Sequence, residues 1–203
     1  LCMRDKNIRA IAGEVARGPY QSARGTVEKF ELEDRIDVRL GSGLEVIHEE
    51  DHVTDIVIAG MGGSLISDIL LMGKEKLTNV QRLILQPNNN EVRVRETLED
   101  LQFILTEEVI LQEKGLFYEI LLAEPIQQTK QPSPYVSKIK EKQLFFGPFL
   151  MEESSKAFVS KWKQEYKQLI YTINQMKKSE DPRVEEKLKQ FNKRLDWIKE
   201  VIS

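Results

Sequence analysis

The sequence predicts an α/β protein: a mostly parallel sheet covered by helices and closed by an antiparallel hairpin, then a C-terminal antiparallel helical hairpin. Three observations carry this. Short Ile/Val/Leu runs alternate with amphipathic stretches from Leu1 to about Glu124, the pattern of buried parallel strands with crossover helices. "FILTEEVILQE" and "LFYEILLAEP" are separated only by Lys114-Gly115, and a link that short joins only antiparallel neighbours. From Glu153 onward the apolar period becomes helical. The expected organisation is a sheet domain over residues 1–150 and a helical hairpin over residues 151–203.

The elements follow in order. "AIAGEV" (Ala10–Val15) reads as a strand ending at Glu14, and "GPYQSARGTVEKFEL" as a helix with Pro19 in its first turn. "IDVRL" (Ile36–Leu40) and "TDIVIAG" (Thr54–Gly60) are the next strands, and "SLISDILLMGKEKL" the next helix. "RLILQPN" (Arg82–Asn88) is a strand stopped by Pro87, followed by a helix from Glu91 to Leu98. After the antiparallel pair, residues 125–150 read as a connector that docks apolar residues through "LFFGPFL". Trp162, Tyr166, Leu169, Ile173 and Met176 then form one seam. Val184, Leu188, Phe191, Leu195, Ile198 and Ile202 form a second, with Asp181 placed to cap and Pro182 to start its helix. Lysines, among them Lys156, Lys161, Lys163 and Lys167, occupy the outer positions. Such a face is either simply solvated or a contact for RNA.

Composition bounds the function. The 203 residues are 40% hydrophobic and 31% charged, which fits one full core, or one core plus an appendage. No apolar run approaches the roughly 18–20 residues that cross a bilayer, and no signal-peptide pattern opens the sequence, so a cytoplasmic protein is expected. Cys2 is the only cysteine, which excludes an internal disulfide and a cysteine-rich zinc site. A net charge of −3 gives no global attraction to nucleic acid, so RNA contact needs a local basic surface. "LCM" reads as the middle of an apolar segment, and the sequence is expected to lack its true beginning.

The chemistry concentrates at strand ends. In "DIVIAGMGGSLISDIL" three glycines, Gly60, Gly62 and Gly63, surround Met61 where a buried strand becomes a helix. That exceeds what one turn demands and points to close backbone approach to a ligand at the carboxyl edge of the sheet. A dinucleotide fingerprint fails because its third glycine falls on Leu65, and no phosphate-binding G-x-x-x-x-G-K-[ST] is present. Glu14 offers two acceptor oxygens suited to ribose hydroxyls, although taken alone it reads first as an ordinary acid at a strand end. Gly41-Ser42-Gly43 forms a second close-approach edge, and "QPNNN" (Gln86–Asn90) supplies side-chain amides able to read a base or to make a turn. "HEEDH" (His48–His52) has the H-E-x-x-H spacing of zinc proteases, but the link is too short for a stable helix; it reads as a charged surface loop, and no metal is expected.

Together, "AIAGEV", "LGSGLEVI", "DIVIAGMGGSLI", "LILQPN" and "GPFL" resemble the bacterial TrmK family over nearly the whole sequence. These are tRNA (adenine-N1)-methyltransferases that use S-adenosylmethionine to methylate the adenine at position 22. The resemblance implies a class I Rossmann-like methyltransferase domain with a C-terminal coiled coil. It implies that Glu14 and the adjoining Val15 hold the cofactor ribose, with Gly41, Ser42 and Gly43 beside its adenine. Ala59, Gly60, Met61, Gly62 and Gly63 would line its methionine end. The target base would be received near Met61, Gln86 and Asn88, with the lysines of the hairpin, Arg93 and Arg95 holding phosphates of the tRNA partner. The family's first strand and acidic glycine loop would precede Leu1, and the family commonly has Asp where this sequence has Ser42. The alternative is a non-catalytic tRNA- or protein-binding module that keeps the fold; a nicotinamide-dependent oxidoreductase fits less well, given Leu65 and the antiparallel hairpin.

Overall fold

The structure, a computed structural model, describes residues 1–178 and 183–203. Six strands form as the apolar runs dictate: β1 (Ala10–Glu14), β2 (Ile36–Leu40), β3 (Asp55–Met61), β4 (Arg82–Pro87), β5 (Phe103–Glu113) and β6 (Leu116–Pro125). Helix α1 (Arg17–Lys29) joins β1 to β2, α2 (Gly63–Met72) joins β3 to β4, and α3 (Glu91–Asp100) joins β4 to β5. The expected helix after β3 stops at Gly73, and Lys74–Leu77 continues as a separate 3-10 turn.

The strands lie in two sheets. β1 pairs in parallel with β2, and a four-stranded sheet runs β3-β4-β6-β5. β3 is parallel to β4, whereas β6 is antiparallel to both β4 and β5. The edge of β1 away from β2 and the edge of β3 away from β4 therefore carry no partner among the described strands. Lys114 and Gly115 both take positive φ, 50° and 82°, as a two-residue hairpin turn with the right twist requires.

The main core gathers Ile66 and Leu70 of α2, Val94 and Leu98 of α3, and Leu83, Leu85 and Leu121 of the larger sheet. Leu44, from the turn after β2, enters the same core and ties the smaller sheet to the larger.

The connector after β6 holds two short helices that its sequence did not announce, α4 (Lys140–Phe146) and α5 (Pro148–Glu153). Seven and six residues are too few for helical periodicity to register. Helices α6 (Lys156–Met176) and α7 (Arg183–Ile202) follow. Their seams face inward, with Trp162, Ile173 and Ile198 buried. Phe145 of α4 meets both Trp162, early in α6, and Trp197, late in α7, at 4.9 and 6.0 Å between ring centres. The helices are therefore antiparallel. The expected cap at Asp181 and start at Pro182 lie outside the described residues.

Candidate functional site

The glycine turn and the Gln86–Asn90 loop, expected around one target base, come together in space. The β3–β4 register runs from Ala59 opposite Gln86 to Met61 opposite Pro87, so Gly60 is the extra residue of a bulge. Gly60 takes φ +77°, a conformation costly to any residue with a Cβ. Its amide leaves the ladder and donates instead to Gln86 Oε1 at 2.9 Å. The other end of the same side chain donates from Nε2 to Pro87 O at 3.0 Å and Asn88 Oδ1 at 3.1 Å. Both polar ends of Gln86 are thus engaged in fixing the bulge and the Asn88 side chain.

Three further bonds seal the loop to the turn. Asn88 N donates to Met61 O at 2.7 Å, Gly63 N to Asn89 O at 2.9 Å, and Asn90 Nδ2 to Ser64 Oγ at 2.9 Å. A Cβ on Gly63 would meet Asn90 O at 2.4 Å, so this glycine is required by space. A Cβ on Gly60 would meet nothing within 4 Å. The turn therefore has an open side next to Gly60 and a closed side at Gly63. Ala59, Gly60 and Met61 are exposed, Gly62 is half-buried and Gly63 is buried.

Glu14 ends β1, and its carbonyl accepts from Gly41 N at 2.9 Å. The Glu14 and Gly41–Gly43 groups are thereby adjacent, with Glu14 half-buried, Val15 74% exposed and Ser42 exposed. Val46 packs against both strand ends, since a Cβ on Gly13 or Gly41 would come within 2.7 or 2.8 Å of it. Arg39 holds this turn closed: its guanidinium donates to Val46 O at 2.7 Å and pairs with Asp51 through two nitrogens, one at 2.8 Å. That hydrogen bonding pulls the Asp51 carboxyl down to about 2. Gly43 then leads back to α2, with Ile69 3.1 Å from its would-be Cβ. A shallow cleft lined by Arg17, Tyr20, Gln21 and Leu40 adjoins this end of β2; none of these was singled out in the sequence. The carboxylate at the end of β1 and the open face at Gly60 suit the cofactor that the resemblance implies, the first for a ribose diol and the second for close approach of a chain.

Two basic residues assigned to phosphates are placed otherwise. Arg95 is 0% exposed and ion-paired to Glu108 and Glu119. Lys161 points inward to Glu91 and Glu119, with its side chain 13% exposed. Charge periodicity along a helix gives sign and spacing but not depth, so neither could be told from a surface cation. His48 and His52 flank the single 3-10 turn Glu49–Asp51, and His48 is its N-cap. No group of three His, Cys, Asp or Glu side chains able to hold a metal ion occurs among the described residues.

Comparison with known proteins agrees with the geometry. The sequence profile of the TrmK family, described as tRNA (adenine(22)-N(1))-methyltransferase, matches residues 1–200. The Bacillus subtilis tRNA (adenine(22)-N(1))-methyltransferase is 42% identical over 194 residues, spanning 95% of this chain and 80% of that protein. The crystal structure of that organism's m1A22 tRNA methyltransferase TrmK superposes with a TM-score of 0.85 at 41% identity, over 96% of this chain and 82% of that one. The Streptococcus pneumoniae protein Sp1610, solved in complex with S-adenosyl-L-methionine, superposes with a TM-score of 0.80 at 43% identity, over 96% and 81% of the two chains. A Rossmann-like methyltransferase fold, the strand-end glycines and a family match along almost the whole length lead to one conclusion: this chain belongs to the TrmK family of tRNA (adenine(22)-N(1))-methyltransferases.

Proposed function

We propose that this chain transfers the methyl group of S-adenosylmethionine to N1 of adenine 22 in tRNA. The observation that carries the reading is the Gly60 bulge, pinned by Gln86 and open on one side, in a chain whose family has this activity. Bound S-adenosylmethionine supplies an electrophilic sulfonium methyl. Adenine N1 attacks it with an in-plane lone pair; the carbon–nitrogen bond forms as the carbon–sulfur bond breaks, and the positive charge passes to the adenine. No base is needed before the attack, and the N6 proton can leave afterwards. The protein's task is alignment and exclusion of water.

In this reading Glu14 accepts from the ribose hydroxyls, with Val15 beside it. Gly41, Ser42 and Gly43 flank the adenine, and the uncharged Ser42 makes a weaker contact there than a carboxylate would. Ala59, Gly60, Gly62 and Gly63 border the methionine end. Met61 and Asn88 face the target base, unstacked from its loop. Gln86 acts by holding Gly60 and Asn88 in register. Exposed lysines of the hairpin, such as Lys163 and Lys167, hold phosphates; Arg95 and Lys161 do not join them.

The test is radiolabelled methyl transfer to unmodified tRNA, with the modified base mapped, alongside calorimetric titration with S-adenosylhomocysteine. Label at N1 of adenine 22 is the expected result. Heat without transfer would leave cofactor binding and remove the reaction; absence of both would favour a non-catalytic binding module.

A further inference from the structure

Among the described residues, the most concentrated buried charge lies outside the strand-end site. It runs as an alternating chain across five elements. Glu91 in the first turn of α3 accepts from Lys161 Nζ of α6 at 2.8 Å. Lys161 also donates to Glu119 of β6 at 2.7 Å. The second oxygen of Glu119 accepts from Arg95 at 2.8 Å, and Arg95 Nε donates to Glu108 of β5 at 2.8 Å. Glu108 finally accepts from the Phe149 amide of α5 at 3.1 Å. Burial alone would raise the Glu91 carboxyl, but the Lys161 ammonium holds it below the ordinary range.

The position of Glu91 gives this network a reach that packing alone would not. It directly follows Asn90, the N-cap of α3, which sits at φ +53° and makes no side-chain cap. Asn90 spends its amide on Ser64 instead. The first turn of α3 thus lacks the usual side-chain cap and is held from outside, by Lys161 on the Glu91 carboxylate and by the Ser67 hydroxyl, which donates to Arg93 O at 3.3 Å. One residue upstream, the carbonyl of Asn89 receives the Gly63 amide. A continuous set of bonds therefore leads from the hairpin to the glycine turn.

We propose that Lys161 is a positioning residue for methyl transfer: by clamping Glu91 it fixes the Asn88–Asn90 loop against Gly60–Ser64, so that the seating of the helical hairpin sets the geometry of the reaction centre. The role in transfer rests on the function proposed above. The clamp itself does not.

The experiment uses the full chain, with Lys161→Met, Lys161→Arg and Glu91→Gln. Hydrogen exchange at the Gly63 amide, measured by NMR without substrate, reads the clamp directly. Loss of the clamp is expected to speed that exchange about tenfold or more while amides inside β5 and β6 keep their protection. Single-turnover transfer at saturating tRNA and cofactor is expected to slow about tenfold, with the Kd for tRNA within about twofold, as for an interaction that matters only in the reacting complex. Lys161→Arg, which keeps the charge, is expected to recover most of both losses. Unchanged Gly63 exchange in folded Lys161→Met or Glu91→Gln would overturn the proposal, as would a rate loss that appears entirely as weaker tRNA binding. Glu91→Gln leaves the Lys161–Glu119 pair in place, so it carries the test if Lys161→Met fails to fold. If wild-type protein transfers no methyl group, the functional reading falls, and Gly63 exchange still decides whether the clamp exists.

Discussion

Gly60 and Gly63 stand three residues apart and are glycine for different physical reasons. Gly60 is needed for its left-handed backbone, with empty space where a Cβ would go. Gly63 is needed because two backbone carbonyls lie within 2.7 Å of that position. Gly60→Ala should therefore cost about 1–2 kcal/mol of stability through backbone conformation alone. Its methyl would protrude into the open side of the turn, so S-adenosylhomocysteine affinity should fall by at least about tenfold, a loss of roughly 1.4 kcal/mol. Gly63→Ala should cost up to about 3 kcal/mol, as overpacking against rigid backbone does, because it forces the Asn89–Asn90 loop away. Urea midpoints and calorimetry check both; wild-type affinity in Gly60→Ala would put the ligand elsewhere. These glycines were legible because three of them within four residues at a strand end stand out in sequence; that Gly63 answers to the Asn89–Asn90 backbone rather than to a ligand was not. The partnership of Gln86 with Gly60 was not, since nothing in sequence tells an amide that reads a ligand from one that satisfies a bulge.

Elements are where period and phase decide what sequence can show. Strands β2 and β5 and the Lys114-Gly115 turn fall on the residues that the apolar runs and the two-residue link mark out. Phase is lost in β5, where the register shifts between Leu105 and Glu107. Past that irregularity Glu108 and Ile110, rather than Glu107 and Val109, turn inward with Phe103 and Leu105. A strict two-residue alternation puts Glu108 in water, so the buried partner of Arg95 was hidden. The turn after β2 shows the converse, a loop closed around the ion pair of Arg39 with Asp51. Asp51, hydrogen-bonded by Arg39 and by the His48 amide at 2.6 Å, has its carboxyl depressed to about 2. A depressed carboxyl stabilises the folded state above its unfolded pKa of about 3.9, and that contribution is lost as pH falls toward 2. Partial solvent exposure keeps the effect modest. Between pH 5 and pH 2.5 the urea midpoint of wild type should fall further than that of Asp51→Asn, which has no such proton to take up. Equal falls would mean that the Arg39 pair does not hold this turn in solution.

For the molecule as a whole, the question is whether the hairpin is an appendage or a part of the sheet domain. The boundary expected at residue 150 falls inside one aromatic cluster. Phe146 of α4 is fully buried and meets Trp162 of α6 edge-on at 4.5 Å, while Ile110 of β5 and Ile198 of α7 join the same cluster. The Arg95–Lys161 charge network runs alongside it. Apolar and ionic contacts of this extent should make the two parts unfold together. Trp162 and Trp197 are the only tryptophans and both lie on the hairpin, so fluorescence reports that part while far-UV circular dichroism reports the whole chain. In wild type the two urea transitions should coincide. Phe146→Ala should remove about 3–5 kcal/mol by emptying the centre of the cluster, and should make the fluorescence transition precede the dichroism one. Separate transitions already in wild type would make the hairpin an independent unit, and would leave the Lys161 clamp too loosely seated to govern the reaction centre.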